Sequence, residues 1–143
     1  MAEFFLGVDG GQSSTTALLG DENGVVVGRG TAGPCNHVAA SEGRAKLISA
    51  IEGSLAGACA AAGIERAGLA LRAACLGLSG GPEDKEEIVR DLLRAAQLRV
   101  TNDAWIALAG ATAGRPGIVV IAGTGSIALG RNGGKTARAG GWG

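Results

Sequence analysis

One pattern occurs twice in this chain: an apolar run, a short turn of glycine and hydroxyl residues, and a second apolar run. The first copy runs from Phe4-Phe5-Leu6-Gly7-Val8 through Asp9, Gly10, Gly11, Gln12, Ser13 and Ser14, returning by Thr15 to Leu19. The second runs from Ile118 to Ala122, through Gly123-Thr124-Gly125-Ser126, and back along Ile127 to Arg131. Both predict two strands joined by a tight polar turn. Neither is a Walker loop, which needs Gly-Lys-Ser/Thr, and neither is a dinucleotide fingerprint, because a strand follows rather than a helix. Each turn has two readings. It is a plain hairpin turn, or it is a cradle in which glycines let the backbone approach a ligand while amides and hydroxyls donate to phosphate oxygens. Asp9, at the mouth of its strand, could then hold magnesium directly or through water.

The 143 residues suffice for one domain with a sizeable core. Zero net charge gives no electrostatic reason to expect nucleic acid or an anionic membrane as partner. No apolar stretch of membrane-spanning length and no signal-peptide pattern at the N-terminus is expected from the sequence. Three cysteines, Cys35, Cys59 and Cys75, show no paired spacing, so a reducing, cytoplasmic setting is the simplest reading. Glycine supplies 27 residues and aromatics only four, so the core must be built from Ala, Leu, Val and Ile with closely approaching backbones.

Along the chain, Val25 to Gly30 predicts a third strand, which completes an antiparallel meander with the first two. Ser41 is the expected N-cap of a helix to about Ala62, with Ala45, Ile48, Ile51, Leu55 and Cys59 on one face and Gly63 ending it. Leu69 to Leu78 reads as a buried strand. After Ser79-Gly80-Gly81, Pro82 opens an acid-rich helix to about Ala96, followed by a short strand at Leu98 to Thr101. Ala104 to Ala113 is a further helix, and Gly114 to Gly117 is the expected boundary between domains 1–116 and 117–143. Asn132-Gly133 is a hairpin turn before a strand over Lys135 to Ala139.

Six stretches, in this order, carry a resemblance: Gly7-Val8-Asp9-Gly10-Gly11, Asn36-His37, Gly77-Leu78-Ser79-Gly80-Gly81, Thr101-Asn102-Asp103-Ala104, Gly123-Thr124-Gly125-Ser126 and Gly140-Gly141-Trp142-Gly143. Together with the β-β-β-α-β-α-β-α order, they resemble the BadF/BadG/BcrA/BcrD ATPase group of the actin/hexokinase/Hsp70 superfamily, and its amino-sugar kinases in particular. The resemblance implies an α/β fold: one ribonuclease-H-like, actin-like ATPase domain with a mixed sheet, plus the first strands of a second such domain. It covers the front half of such an enzyme; an Asp-Glu-Gly-Ser run that follows Gly-Gly-Trp-Gly in the family is not in this chain.

The resemblance also implies roles. Asp103, by sequence alone an N-cap, becomes the general base that accepts the proton of the attacking sugar hydroxyl, in a reaction that depends mostly on positioning and charge stabilisation. Gly10, Gly11, Gln12, Ser13, Ser14, Gly123, Thr124 and Gly125 become phosphate-binding, and Asp9 organises magnesium. Asn36, whose amide offers donors and an acceptor, becomes a sugar ligand with Ser79, Gly80, Asp103, Ser126, Gly141, Trp142 and Gly143, while His37 reads as loop packing. Cys59 and Cys75 read as small core hydrophobes, and Cys35 is the one cysteine expected to be reactive.

The implied function is ATP- and magnesium-dependent phosphorylation of the 6-hydroxyl of N-acetylglucosamine or glucosamine. Two rivals stand beside it. One is an ATPase activase of the 2-hydroxyacyl-CoA dehydratase/benzoyl-CoA reductase type, with a cluster held by cysteines. The other is a non-catalytic sugar- or nucleotide-binding fragment. Expected partners are a small amino sugar and either a second copy of the chain or a missing C-terminal half, because Ile118, Val120, Ile121 and Leu129 would otherwise lack a complete core. By itself the chain is expected to turn over little or no ATP.

Overall fold

The computed structural model describes residues 2–35, 40–80, 83–123 and 125–141. The chain forms two compact units, residues 1–102 and 103–143. In the first, strands β1 (Phe4–Gly10), β2 (Thr15–Gly20) and β3 (Val26–Ala32) form the expected antiparallel meander. At the β2–β3 corner the Asp21 carboxylate accepts hydrogen bonds from the amides of Asn23 and Val25, each at 2.9 Å, which holds it below the usual carboxylate range. Strand β4 (Leu71–Leu78) lies parallel to β1, and β5 (Ala95–Thr101) lies parallel to β4. The sheet order β3-β2-β1-β4-β5 is the mixed arrangement of a ribonuclease-H-like domain.

Strand alternation builds the core. Leu6 and Val8 of β1, Ala17 and Leu19 of β2 and Leu76 and Leu78 of β4 are buried. Helix α1 (Ala40–Ala62) covers this face with Leu47, Ala50, Ile51, Leu55, Ala58 and Cys59, each large aliphatic contributing about 1.5–3 kcal/mol when fully buried. Of the expected face Ile51, Leu55 and Cys59 are buried and Ile48 is half-buried, whereas Ala45 is exposed and Leu47 takes its place. Both sets keep a helical period, and the buried face is centred nearer Leu47 and Ala58 than Ala45 would place it. The helix also begins at Ala40, so Ser41 lies in its first turn rather than at the cap.

Two glycines explain how α1 comes so near. A Cβ on Gly30 would collide with the Ser54 carbonyl oxygen, and one on Gly28 with that of Ala58. β3 therefore lies backbone to backbone against the helix. The Ser54 hydroxyl, fully buried there, donates to the Ile51 carbonyl at 3.0 Å. By length and composition Glu42–Ala62 would also suffice to cross a membrane, contrary to the sequence reading. Its packing onto the sheet accounts for that apolar character.

Helix α2 spans only Glu86–Leu92, and the expected extension to Ala96 is wrong. Ala95 to Gln97 belong to β5, whose ladder with β4 starts at Leu71↔Ala95. Pairing outweighs the helix preference of an alanine-rich segment.

In the second unit, α3 (Asp103–Thr112) packs on an antiparallel sheet of β6 (Gly117–Ala122), β7 (Ser126–Asn132) and β8 (Lys135–Gly140). The β7–β8 turn is Gly133-Gly134, one residue later than expected, and Gly133 supplies the positive φ of 58° that such a turn needs. Ala104, Leu108 and Leu129 are buried, with Trp105, Val119, Ile121 and Ile127 half-buried around them. Leu129 and Ile121 thus have core partners after all. Ile118 and Val120, on the other face of β6, are 73% and 68% exposed.

Candidate functional site

In the first unit the expected ligand segments meet where the parallel strands β1 and β4 end, the edge at which open α/β sheets bind ligands. The turn after β1 is closed by the Gly11 amide donating to the Ser14 carbonyl at 2.9 Å, leaving Gln12, Ser13 and Ser14 exposed. Two further segments are tied to it. The Ser79 amide donates to the Gly10 carbonyl at 2.7 Å, and the Cys35 amide donates to the Gly11 carbonyl at 3.1 Å. The first bond fixes Ser79-Gly80 beside the turn of Gly10 to Ser14, with Gly80 at φ 80°. The second brings the loop that leads to Asn36. Asn36 and His37 themselves lie outside the described residues.

Gly10 is needed here for a steric reason. A Cβ on it would approach the Cys35 Sγ to 2.5 Å and a Leu78 methyl to 2.6 Å. Cys35 is buried, with its thiol at 3.7 Å from the Gly11 carbonyl. Burial pushes the thiol pKa up, against smaller downward effects of the Thr15 hydroxyl, the Lys85 ammonium and nearby amides. A neutral, enclosed thiol is not a reactive one, so that expectation is corrected. The Thr15 hydroxyl is fully buried beside it and forms no well-shaped hydrogen bond. Cys59 is buried as expected, Cys75 half-buried, and burial raises both thiols as well.

Asp9 stands one residue before the end of β1, exposed, on the face opposite α1. Its register partners are Thr16 on β2 and Gly77 on β4. Among the described residues no group of three or more His, Cys, Asp or Glu side chains could hold a metal. A single carboxylate such as Asp9 suits magnesium where water and phosphate oxygens supply the remaining ligands.

Lys85 escaped the sequence reading. It stands alone among Glu83, Asp84, Glu86 and Glu87, a setting that suggests a solvated helix start. The structure buries it to 5% exposure, with Nζ donating to the Ser79 carbonyl at 2.7 Å. The only signal was that a single cation interrupts an acidic run.

In the second unit Asp103 is the first residue of α3 and is half-buried. The β6–β7 turn is closed by the Gly123 amide donating to the Gly125 carbonyl at 2.8 Å, with Gly125 and Ser126 exposed. The Gly141 amide donates to the Ser126 carbonyl at 2.7 Å, which brings these two expected sugar-site residues together. The Arg138 guanidinium donates to the carbonyls of Gly140 and Gly141 at 3.2 and 2.6 Å, and both glycines have positive φ. Thr124, Trp142 and Gly143 lie outside the described residues.

Known proteins resemble this chain over nearly its whole length. The chain is 35% identical over 150 residues to an N-acetylmuramic acid/N-acetylglucosamine kinase of Clostridium acetobutylicum, covering 99% of this chain and 47% of that protein. It is 31% identical over 159 residues to an N-acetyl-D-glucosamine kinase of Dictyostelium discoideum, covering 99% and 48%. A crystal structure of a candidate N-acetylglucosamine kinase from Chromobacterium violaceum superposes with a TM-score of 0.81 at 33% identity, covering 99% of this chain and 50% of that one. The chain thus spans about half the length of the relatives it matches. The profile of one family matches residues 6–143, nearly the whole sequence, and on that match the chain belongs to the BadF/BadG/BcrA/BcrD ATPase family.

Proposed function

We propose that this chain carries the phosphate- and sugar-binding front half of an ATP- and magnesium-dependent amino-sugar kinase. Its domains would be an ATPase domain over 1–116 and the opening of a second over 117–143, working in a reducing, cytoplasmic setting. The observation that carries the reading is the hydrogen-bonded junction at Gly10-Gly11, which ties the phosphate turn to Ser79 and to the loop leading to Asn36. The similarity to N-acetylglucosamine kinases supplies the substrate class.

In this reading the amides and hydroxyls of Gly10 to Ser14 receive phosphate oxygens, and Gly123, Thr124 and Gly125 receive others. Asn36, Ser79, Gly80, Ser126, Gly141, Trp142 and Gly143 orient the sugar. The 6-hydroxyl oxygen attacks the γ-phosphorus while the bond to the β–γ bridging oxygen breaks. The hydroxyl proton passes to the Asp103 carboxylate, giving sugar 6-phosphate and ADP. Magnesium held near Asp9 would offset the charge of the phosphates.

The test is a titration of the isotope-labelled chain followed by backbone amide resonances, with ADP release measured alongside. Magnesium–ADP is expected to shift Gly10 to Ser14, and N-acetylglucosamine or glucosamine to shift Ser126 and Gly141 more than glucose does. ADP release from the chain alone is expected to be slight, and Asp103→Asn should lower any sugar-dependent part by about 100-fold or more while leaving the sugar-induced shifts in place. ADP release that ignores sugar would overturn the kinase reading in favour of an activase-type ATPase. Nucleotide that leaves Gly10 to Ser14 unshifted would overturn the phosphate-turn assignment.

A further inference from the structure

We infer that Lys85 is a positioning residue that locks Ser79-Gly80 against the phosphate turn, and so sets that turn's affinity for phosphate. The inference rests on the reading of Gly10 to Ser14 given above, and it assigns a role to a residue outside those motifs.

Lysine is almost never fully buried unless it is paired. Lys85 is 5% exposed, while Glu83 and Asp84 just before it are exposed. Taking an ammonium out of water is costly, and an apolar side chain of similar size would usually stabilise a core better. Packing therefore does not explain its presence. A polar role does: Nζ donates to the Ser79 carbonyl at 2.7 Å, a charge-assisted hydrogen bond of the strong kind.

That carbonyl belongs to the residue whose amide grips the Gly10 carbonyl at 2.7 Å. Gly10 leads into Gly11, whose amide closes the turn onto Ser14 and whose carbonyl receives the Cys35 amide. A line of short bonds thus runs from the Lys85 ammonium to the closed turn. Gly80, at φ 80°, is conformationally permissive, so the Ser79-Gly80 corner needs an external hold. Lys85 supplies it from the residue just before α2, whose Val89 is fully buried. Its positive charge also lies near the Cys35 thiol, behind the turn that would take phosphate.

The test compares the intact chain with Lys85→Met, Lys85→Arg and the core control Val89→Ala. Thermal stability, hydrogen exchange of the Ser79, Gly11 and Cys35 amides, and affinity for magnesium–ADP are measured on each. Lys85→Met should raise exchange at Ser79 and Gly11 by tenfold or more and weaken ADP about tenfold. Lys85→Arg should restore both to within about threefold. Val89→Ala should lose stability without this local pattern. Exchange in Lys85→Met that merely follows the Val89→Ala control would overturn the inference, and so would an Arg variant no better than Met. A wild-type chain that binds no ADP, with exchange still separating Met from the control, would overturn the phosphate-turn reading while upholding the Lys85 lock.

Discussion

Replacing Gly30 by alanine should strongly destabilise the first unit, although the change adds a single methyl group. The new Cβ would fall far inside van der Waals contact with the Ser54 carbonyl oxygen and within 2.8 Å of the Gly57 carbonyl carbon. These are helix backbone atoms, so no side chain can swing aside. β3 and α1 would have to part by about 1 Å, which spoils the packing of Ile51, Leu55 and Ala58 on the sheet. Overpacking of this kind costs about 1–3 kcal/mol, and the rigid partner puts this case at the upper end. For a unit of about 100 residues, about 3 kcal/mol lowers Tm by roughly 12–24 °C. The control is Gly7→Ala on β1, where a Cβ meets nothing within 4 Å. Glycine's extra chain entropy is removed there, so that variant should be neutral or stabilised by about 0.5–1 kcal/mol. Urea and thermal unfolding of both variants decide the matter. Equal midpoints for Gly30→Ala and Gly7→Ala would refute the claim that close backbone approach explains the glycines of β3.

Three further outcomes are expected. Gly10→Ala drives a methyl at the Cys35 sulfur and a Leu78 methyl, both side-chain atoms with some freedom to move. It should cost about 1–3 kcal/mol and weaken magnesium–ADP binding, read by calorimetry. Burial raises all three thiols from 9.0, so the neutral form is favoured in the folded state. Their contribution to stability is therefore complete below about pH 9 and is lost as pH rises through the folded values, so the urea midpoint should fall further between pH 8 and 10.5 than in a Cys35→Ala/Cys59→Ala variant. Ile118→Lys with Val120→Lys alters positions that are 73% and 68% exposed, so Tm should stay within about 2 °C. Should sedimentation show a dimer of the parent chain, these two changes should weaken it.

The local elements were legible because they depend on near neighbours. Alternation of Leu6, Val8 and Gly10 against Phe5, Gly7 and Asp9 marks a strand with one buried face. The glycine–hydroxyl turns announce themselves through residues that only a turn favours, and their order along the chain carries the family. What failed was decided by partners distant in sequence. Ala95 and Ala96 prefer a helix in isolation, yet the β4 ladder claims them. The buried face of α1 is set by where β2 and β3 lie, which turns Leu47 inward and Ala45 outward.

By itself, then, the sequence determined the strand–turn–strand units, the helices and the residue types available for phosphate and sugar, since backbone preference and hydrophobic period act over a few residues. Tertiary structure alone decided that Gly28 and Gly30 are contact points for a helix, that Cys35 is sealed and neutral, and that Lys85 reaches inward. Each of those outcomes depends on which atoms lie within a few ångströms, and residues 6 to 30 positions apart meet there only once the sheet has assembled.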